Sequence, residues 1–469
     1  MDKDFSLNDK TNLLETAAPY HVPPLDDVKE PNLFRALFSY DEVPKATFDY
    51  PRVPYSMPKD IWITDTTFRD GQQSRTPYTA RQMVDLYKLL HKLGGPKGKI
   101  KQTEFFPYSK ADRKAVEECL ALGYEFPEVT TWIRAIKQDF VLVKDMGIKE
   151  TGILVSCSDY HIFNKLGKTR KQAMDQYLSV VSDALDVGIR PRCHLEDITR
   201  ADFYGFVVPF VHELVKMSER AKIPVKIRAC DTLGYGLPFA GTSLPRNVAR
   251  LIYALKHHAG VPSELLEWHG HNDFYKAVAN ASVAWLHGAS GVNCSLLGIG
   301  ERTGNVPLEA MVFEYASFRG TMDGMEPRVI TEIAEYYERE LGYEIPPMTP
   351  YVGRNFNVTR AGIHADGLLK DEEIYNIFDT KKLLDRPVVV AISNISGAAG
   401  VAFWINTYFK LKGSNRIDKK DELVSKIHAW VNAEYDAGRQ TSISDEEMVA
   451  IIEKFAPGRF KSATPQNRR

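Results

Sequence analysis

An alternation of strand-like and helix-like segments, repeated eight times between residues 59 and 325, constrains this chain most. The strand-like runs are Ile61–Thr66, Lys101–Phe106, Glu128–Ile133, Gly152–Ser156, Pro191–Glu196, Val225–Asp231, Leu266–His271 and Gly291–Leu297. The intervening stretches carry apolar residues at spacings of three and four, most clearly in Ala173–Val187 and Pro245–His258. Eight such units in about 250 residues close naturally into a (β/α)8 TIM barrel, and an open doubly wound sheet is the weaker alternative. Residues 1–58 are rich in proline and lack periodicity, so long helices are excluded there. They read as an extended arm with Phe34, Phe38 and Tyr40 as anchors. Residues 326–412 change character after the turn Pro346-Pro347-Met348-Thr349-Pro350 and form a linker and subdomain. Residues 413–469 read as a helical segment, its second helix opening at Ser442-Ile443-Ser444-Asp445 with a serine N-cap, and a basic tail.

Composition removes several classes of function. The formal charge is −1 over 469 residues with no basic block, so a nucleic-acid partner is not expected. The cluster Lys97, Lys99 and Lys101 reads as a solvated loop before an anion site. No apolar run is long enough to span a bilayer, and the N-terminus has no signal-peptide pattern. Five scattered cysteines with no CxxC pair fit free thiols in a reducing cytoplasm.

Chemistry concentrates at the C-terminal ends of the strands, where barrel enzymes bind their ligands. Asp65-Thr66-Thr67-Phe68-Arg69-Asp70-Gly71-Gln72-Gln73 follows the first strand. Glu104, Arg134, Ser156, Glu196, Asp231 with Thr232, and His269-Gly270-His271 end later ones, and Asn305 closes a glycine-rich turn after the eighth. His269 and His271 alternate with Gly270, so both imidazoles face one side. With Asp70, and Asn305 nearby, they offer nitrogen and oxygen ligands to Mn²⁺, Co²⁺, Mg²⁺ or Zn²⁺, the first two preferred. A divalent ion beside Arg69 suits a 2-keto acid, whose ketone it polarises. Arg69 has an alternative role as an ion-pair partner of Glu104 or Glu301. Thr232 suits a substrate carboxylate or, equally, a helix N-cap.

Three of these segments, Asp65–Gln73, His269–Asp273 and Gly300–Asn305, resemble in order and spacing the barrel metalloenzymes that include isopropylmalate, homocitrate and citramalate synthases and hydroxymethylglutaryl-CoA lyase. The resemblance covers residues 59–412. It implies a metal site of Asp70, His269 and His271 with Asn305 close by, keto-acid contacts from Arg69 and Thr232, and a catalytic role for Glu196. His161 resembles a further active-site position of the family, with a loop histidine as the alternative, and Gln73 and Glu104 are further substrate-binding candidates. Gly362-Ile363-His364 is similar to the subdomain motif whose histidine takes a proton from acetyl-CoA, often in the other subunit of a homodimer. Where those synthases usually have another histidine five residues earlier, this chain has Thr359. The stretches Phe356–Gly367 and Ile392–Gly400 are most similar to members that act on oxaloacetate. Its second carboxylate needs a cation, for which Arg134, Arg192 and Arg360 are candidates, Arg134 having an alternative in a salt bridge to Asp139 or Glu128. The resemblance therefore implies condensation of acetyl-CoA with oxaloacetate to give citrate. Synthesis from another 2-keto acid, an acyl-CoA lyase and a non-catalytic metal-binding barrel are the alternatives. Residues 413–469 are fewer than the regulatory domain of amino-acid synthases, so no leucine-type feedback site is expected.

Overall fold

The computed structural model describes residues 5–8, 13–16, 21–38, 45–49, 52–134 and 136–460. Two compact units divide the chain, Met1–Glu326 and Pro327–Arg469. The first is a closed barrel of eight parallel strands: β1 Trp62–Asp65, β2 Ile100–Phe105, β3 Glu128–Ile133, β4 Glu150–Ser156, β5 Arg190–Glu196, β6 Lys226–Asp231, β7 Leu266–Gly270 and β8 Gly291–Cys294. β8 returns to pair with β1 and closes the ring. The helices between and after them are α1 Ala80–Gly94, α2 Lys110–Ala121, α3 Lys137–Asp145, α4 Arg170–Asp186, α5 Val208–Ala221, α6 Val248–His257, α7 Ala277–His287 and α8 Leu308–Arg319. Their starts follow from local chemistry. Thr79 and Thr169 each form a reciprocal capping box with a glutamine three residues on, and Ser109 and Asn247 cap α2 and α6.

The barrel interior is unusual in being charged where branched apolar residues are the norm. Glu104, Glu150, Arg192 and Arg228 are almost completely buried there. The Arg192 guanidinium bridges Glu104 and, at 2.8 Å, Glu150, while Arg228 reaches Glu104 at 3.2 Å and Glu267 at 2.7 Å. Burial alone would raise the carboxyl of Glu104, but Arg228, Arg192 and Arg69 hold it well below the ordinary range. This lattice is the floor on which the strand-end residues stand.

Residues 21–38 of the arm contact the barrel of their own chain. Asp26 N–H donates to the Gly205 carbonyl at 3.0 Å, Asn32 N–H to Asp159 at 2.8 Å, and Tyr160 OH to the Leu33 carbonyl at 2.7 Å. Buried Phe38 packs on Tyr235 with ring centroids 5.1 Å apart, Phe34 is half-buried, and Tyr40 lies outside the described residues. Lys97 and Lys99 pair with Asp323, and Lys101 covers the Trp62 ring.

The second unit is mainly helical: α9 Val329–Leu341, α10 Gly362–Lys370, α11 Thr380–Leu384, α12 Gly397–Tyr408, α13 Glu422–Asp436 and α14 Asp445–Phe455, the last capped by Ser444. A two-residue strand Val358–Thr359 pairs with Val389–Val390. Leu368, Val390, Val401, Phe403, Ile427, Val431 and Met448 form part of one apolar core.

Candidate active site

The turn after β1 is a short π-helical loop, Thr67–Gly71, fully buried. Its closure is held by three N–H groups, those of Arg69, Asp70 and Gly71, converging on the Thr66 carbonyl. This turns the Asp70 carboxylate over the end of β7. Asp70 Oδ2 lies 3.6 Å from His269 Nε2 and 3.6 Å from His271 Nε2. Those separations exceed a hydrogen bond, and the three ligand atoms lie within 4.8 Å of one another, close enough for one ion to be shared among them. Asp70 Oδ2 and both polar atoms of the buried Asn305 amide have no hydrogen-bond partner among the described residues. Buried polar groups without partners are rare, and a cation gives these one. The donor set thus fits a divalent metal.

Electrostatics point the same way. Burial would raise Asp70, but the adjacent Arg69 guanidinium overcomes it and holds the carboxyl well below the ordinary range. Burial pushes His269 down to about 3 and lowers His271 also, so both rings are neutral, the form that binds metal. Arg69 donates to Glu104 at 2.7 Å, the ion pair read as its alternative, and to Asp70 Oδ1 at 3.1 Å, which places it beside the two histidines.

The glycine-rich return to Asn305 is explained by crowding. A Cβ on Gly300 would sit 2.7 Å from the Asn305 amide, and Gly304, at φ +89°, presses on the Gly298 carbonyl. Only glycine fits either position.

A second cluster forms at the ends of β4 and β5. Glu196 accepts from Ser156 and lies 2.9 Å from His161 Nδ1 and 3.3 Å from Lys165 Nζ. Burial raises its carboxyl, yet His161, Ser156 and Lys165 bring it down to about 2, so it is an acceptor at neutral pH. Thr232 Oγ1 accepts the Asp197 N–H at 2.9 Å and does not cap α6, whose cap is Asn247.

Other residues singled out from sequence are placed elsewhere. Glu104 lies beneath Arg69 in the charged lattice. Arg192 is committed to Glu104 and Glu150 inside the barrel. Arg134 carries a side chain 63 % exposed, paired with Asp139 at 3.0 Å and lying over Tyr108. Gln73 and Arg360 are exposed. In the second unit, exposed His364 stands on α10 against Tyr375, ring centroids 4.3 Å apart. Gly362 permits this helix start to approach the Ile395–Ser396 backbone, its N–H donating to the Ile395 carbonyl at 2.7 Å. The two subdomain stretches read separately from sequence are therefore one structural feature. Sequence reading passed over Lys165, four residues after His161 on the same helical turn, and Asn293, a polar residue inside an otherwise apolar strand.

The HMGL-like family model matches residues 60–335, and the chain belongs to that family. Within it, the chain is 60 % identical over 433 residues to the citrate (Re)-synthase of Clostridium kluyveri, covering 92 % of this chain and 96 % of that one. It is 54 % identical to the citrate (Re)-synthase of Syntrophus aciditrophicus, over 93 % of this chain and 70 % of that one. A 2-phosphinomethylmalate synthase of Streptomyces hygroscopicus is 39 % identical over 91 % of this chain and 97 % of its own. No helix among the described residues is long and apolar enough to cross a membrane.

Proposed function

We propose that this chain is a citrate synthase of the Re type, an acyltransferase that condenses acetyl-CoA with oxaloacetate and water to give citrate and CoA. The observation that carries the reading is similarity to citrate (Re)-synthases along nearly the whole chain, at 60 % identity. The converged Asp70, His269 and His271 support it.

Asp70, His269 and His271, with Asn305 beside them, would hold Mn²⁺ or Co²⁺ in preference to Mg²⁺ or Zn²⁺, supplying Lewis-acid polarisation of the keto group. Arg69, fixed by Glu104 from below, stabilises negative charge developing on the attacked ketone oxygen. Thr232 and His161 flank the keto acid, with Gln73 at the mouth of the β1 loop. Ionised Glu196 assists His364 in taking a proton from the acetyl methyl. The carbanion attacks the ketone carbon, the oxygen collects a proton, and water cleaves the thioester to release CoA. Arg134 and Arg360 are the cations offered to the second carboxylate of oxaloacetate, Arg134 by exchanging Asp139 for substrate. The reading includes a homodimer in which His364 serves the partner's site, and a cytoplasmic location in keeping with five unpaired, buried cysteines.

The test is CoA release from acetyl-CoA with oxaloacetate, 2-oxoglutarate, 2-ketoisovalerate or pyruvate, each with Mn²⁺ and with chelator. Turnover with oxaloacetate alone, abolished by chelator, is expected, and labelled acetyl-CoA then reports attack on the Re face. Preference for another keto acid overturns the substrate assignment and leaves the metal site standing.

A further inference from the structure

We infer that Asn293 orients the metal ligand His269 and dictates which of its ring nitrogens carries the proton. The inference deepens the metal-centre reading and rests on it. Asn293 is fully buried on β8, in register with His269 on β7. His269 Nδ1 lies 2.8 Å from Asn293 Oδ1, while Nε2 faces Asp70.

That contact alone does not assign the proton, because an asparagine can present either its carbonyl or its amide. The neighbours of Asn293 assign it. Arg228 Nε donates to Glu267 at 2.7 Å, so Glu267 is a carboxylate that only accepts. The Thr64 hydroxyl donates its single proton to this charged acceptor, which outcompetes the neutral Val292 carbonyl at 3.5 Å and would equally outcompete an amide carbonyl turned toward it. With that proton committed, Thr64 Oγ1 can only accept from Asn293. The amide nitrogen must therefore be the group facing it, at 3.0 Å. The Asn293 carbonyl then faces His269, which donates from Nδ1 and keeps its lone pair on Nε2. Four strands contribute to this relay: Arg228 from β6, Glu267 and His269 from β7, Asn293 from β8 and Thr64 from β1. His271, in contrast, has a buried Nδ1 with no hydrogen-bond partner among the described residues. The two imidazoles differ: one is held in a single tautomer and the other is not.

The test uses the full chain as wild type, Asn293→Ala and Thr64→Val. Mn²⁺ affinity is measured by equilibrium dialysis, and the tautomer of His269 by ¹⁵N-histidine spectra of metal-free protein. Loss of such a supporting partner costs about 10- to 100-fold in metal affinity, the drop expected for Asn293→Ala with far-ultraviolet circular dichroism unchanged. Thr64→Val, which leaves both Asn293 and the histidine in place, is expected to weaken Mn²⁺ less and to mix the two tautomers. Should Asn293→Ala fail to fold, Thr64→Val carries the test. Mn²⁺ affinity unchanged in the folded variants, or His269 protonated on Nε2 in the wild type, overturns the inference. Wild type that binds no Mn²⁺ removes the metal-centre reading instead, while the ¹⁵N spectrum still decides the tautomer.

Discussion

Inside the barrel, Glu104 is surrounded by Arg69, Arg192 and Arg228, and Glu150 by Arg192 and Lys226. Inside the C-terminal unit, Leu368, Val401, Phe403, Ile427 and Met448 meet one another, and no charged side chain is buried among its described residues. The two regions are filled by opposite chemistry. A buried ion network contributes little net stability because desolvation offsets attraction, but it fixes charges in space and polarises the groups it touches. An apolar core contributes stability and fixes no charge. The cluster of Asp70, His269 and His271, with Arg69, sits on the first kind of core. His364 is displayed on the surface of the second.

Removing the group that reads out the charged core should have the largest effect. Asp70→Ala is expected to lower CoA release with oxaloacetate by at least about 10³-fold, the loss of several kcal/mol of electrostatic stabilisation, with circular dichroism unchanged. Wild-type turnover in this variant would take Asp70 out of the site. His364→Ala should reduce kcat by about 10²- to 10⁴-fold, the range for a lost general base, and leave Mn²⁺ affinity as it was. A fall in Mn²⁺ affinity would break the division of labour between the two units.

Thermal and denaturant unfolding sharpen the contrast between the cores. Arg192→Leu takes one buried cation from Glu104, which keeps Arg69 and Arg228, and from Glu150, which keeps Lys226, and is expected to cost about 3 kcal/mol, part of which returns when Glu150→Gln is added. Ile427→Ala leaves a cavity costing about 2–5 kcal/mol, with no second polar change able to restore it. If adding Glu150→Gln to Arg192→Leu recovers nothing, the interior is not an electrostatic lattice in the sense argued. The smallest effect concerns pH. Glu196 titrates near 2 in the folded chain, against about 4.3 for an unfolded glutamate. Its contribution is present above the unfolded value and is lost as pH falls from there through about 2, since the unfolded chain takes up the proton first. Glu196→Gln should flatten the urea midpoint of the barrel between pH 5 and 3, and an identical slope in wild type and variant would refute the assignment.

Much of this architecture is legible in the chain. The eightfold alternation predicts the closed barrel, and the runs Glu128–Ile133 and Leu266–His271 match β3 and β7 to within a residue. The run from Gly291 was read as continuing to Leu297, but β8 ends at Cys294 because a 3₁₀ turn follows, with Leu297 at φ +56°. Asp70, His269 and His271 were legible because short turns keep strand-end residues near the strand axis, wherever the other strands lie. Arg134 also ends a strand, yet a carboxylate five residues on, Asp139, captures it outside the barrel. Local partners of that kind compete with a distant site and cannot be ranked against it from sequence.

By itself, the sequence determined the barrel, the strand-end placement of Asp70, His269 and His271 and the existence of a separate segment carrying His364. These depend on periodicity and on neighbours a few residues away. Only the tertiary structure decided that Glu104 meets Arg192 and Arg228, 88 and 124 residues along the chain, and that Asn293 stands between His269 and Thr64. Those pairings are set by the register in which the strands close. A shift of one residue in any strand would turn its inward side chains outward, so the barrel interior has no partners until the ring is complete.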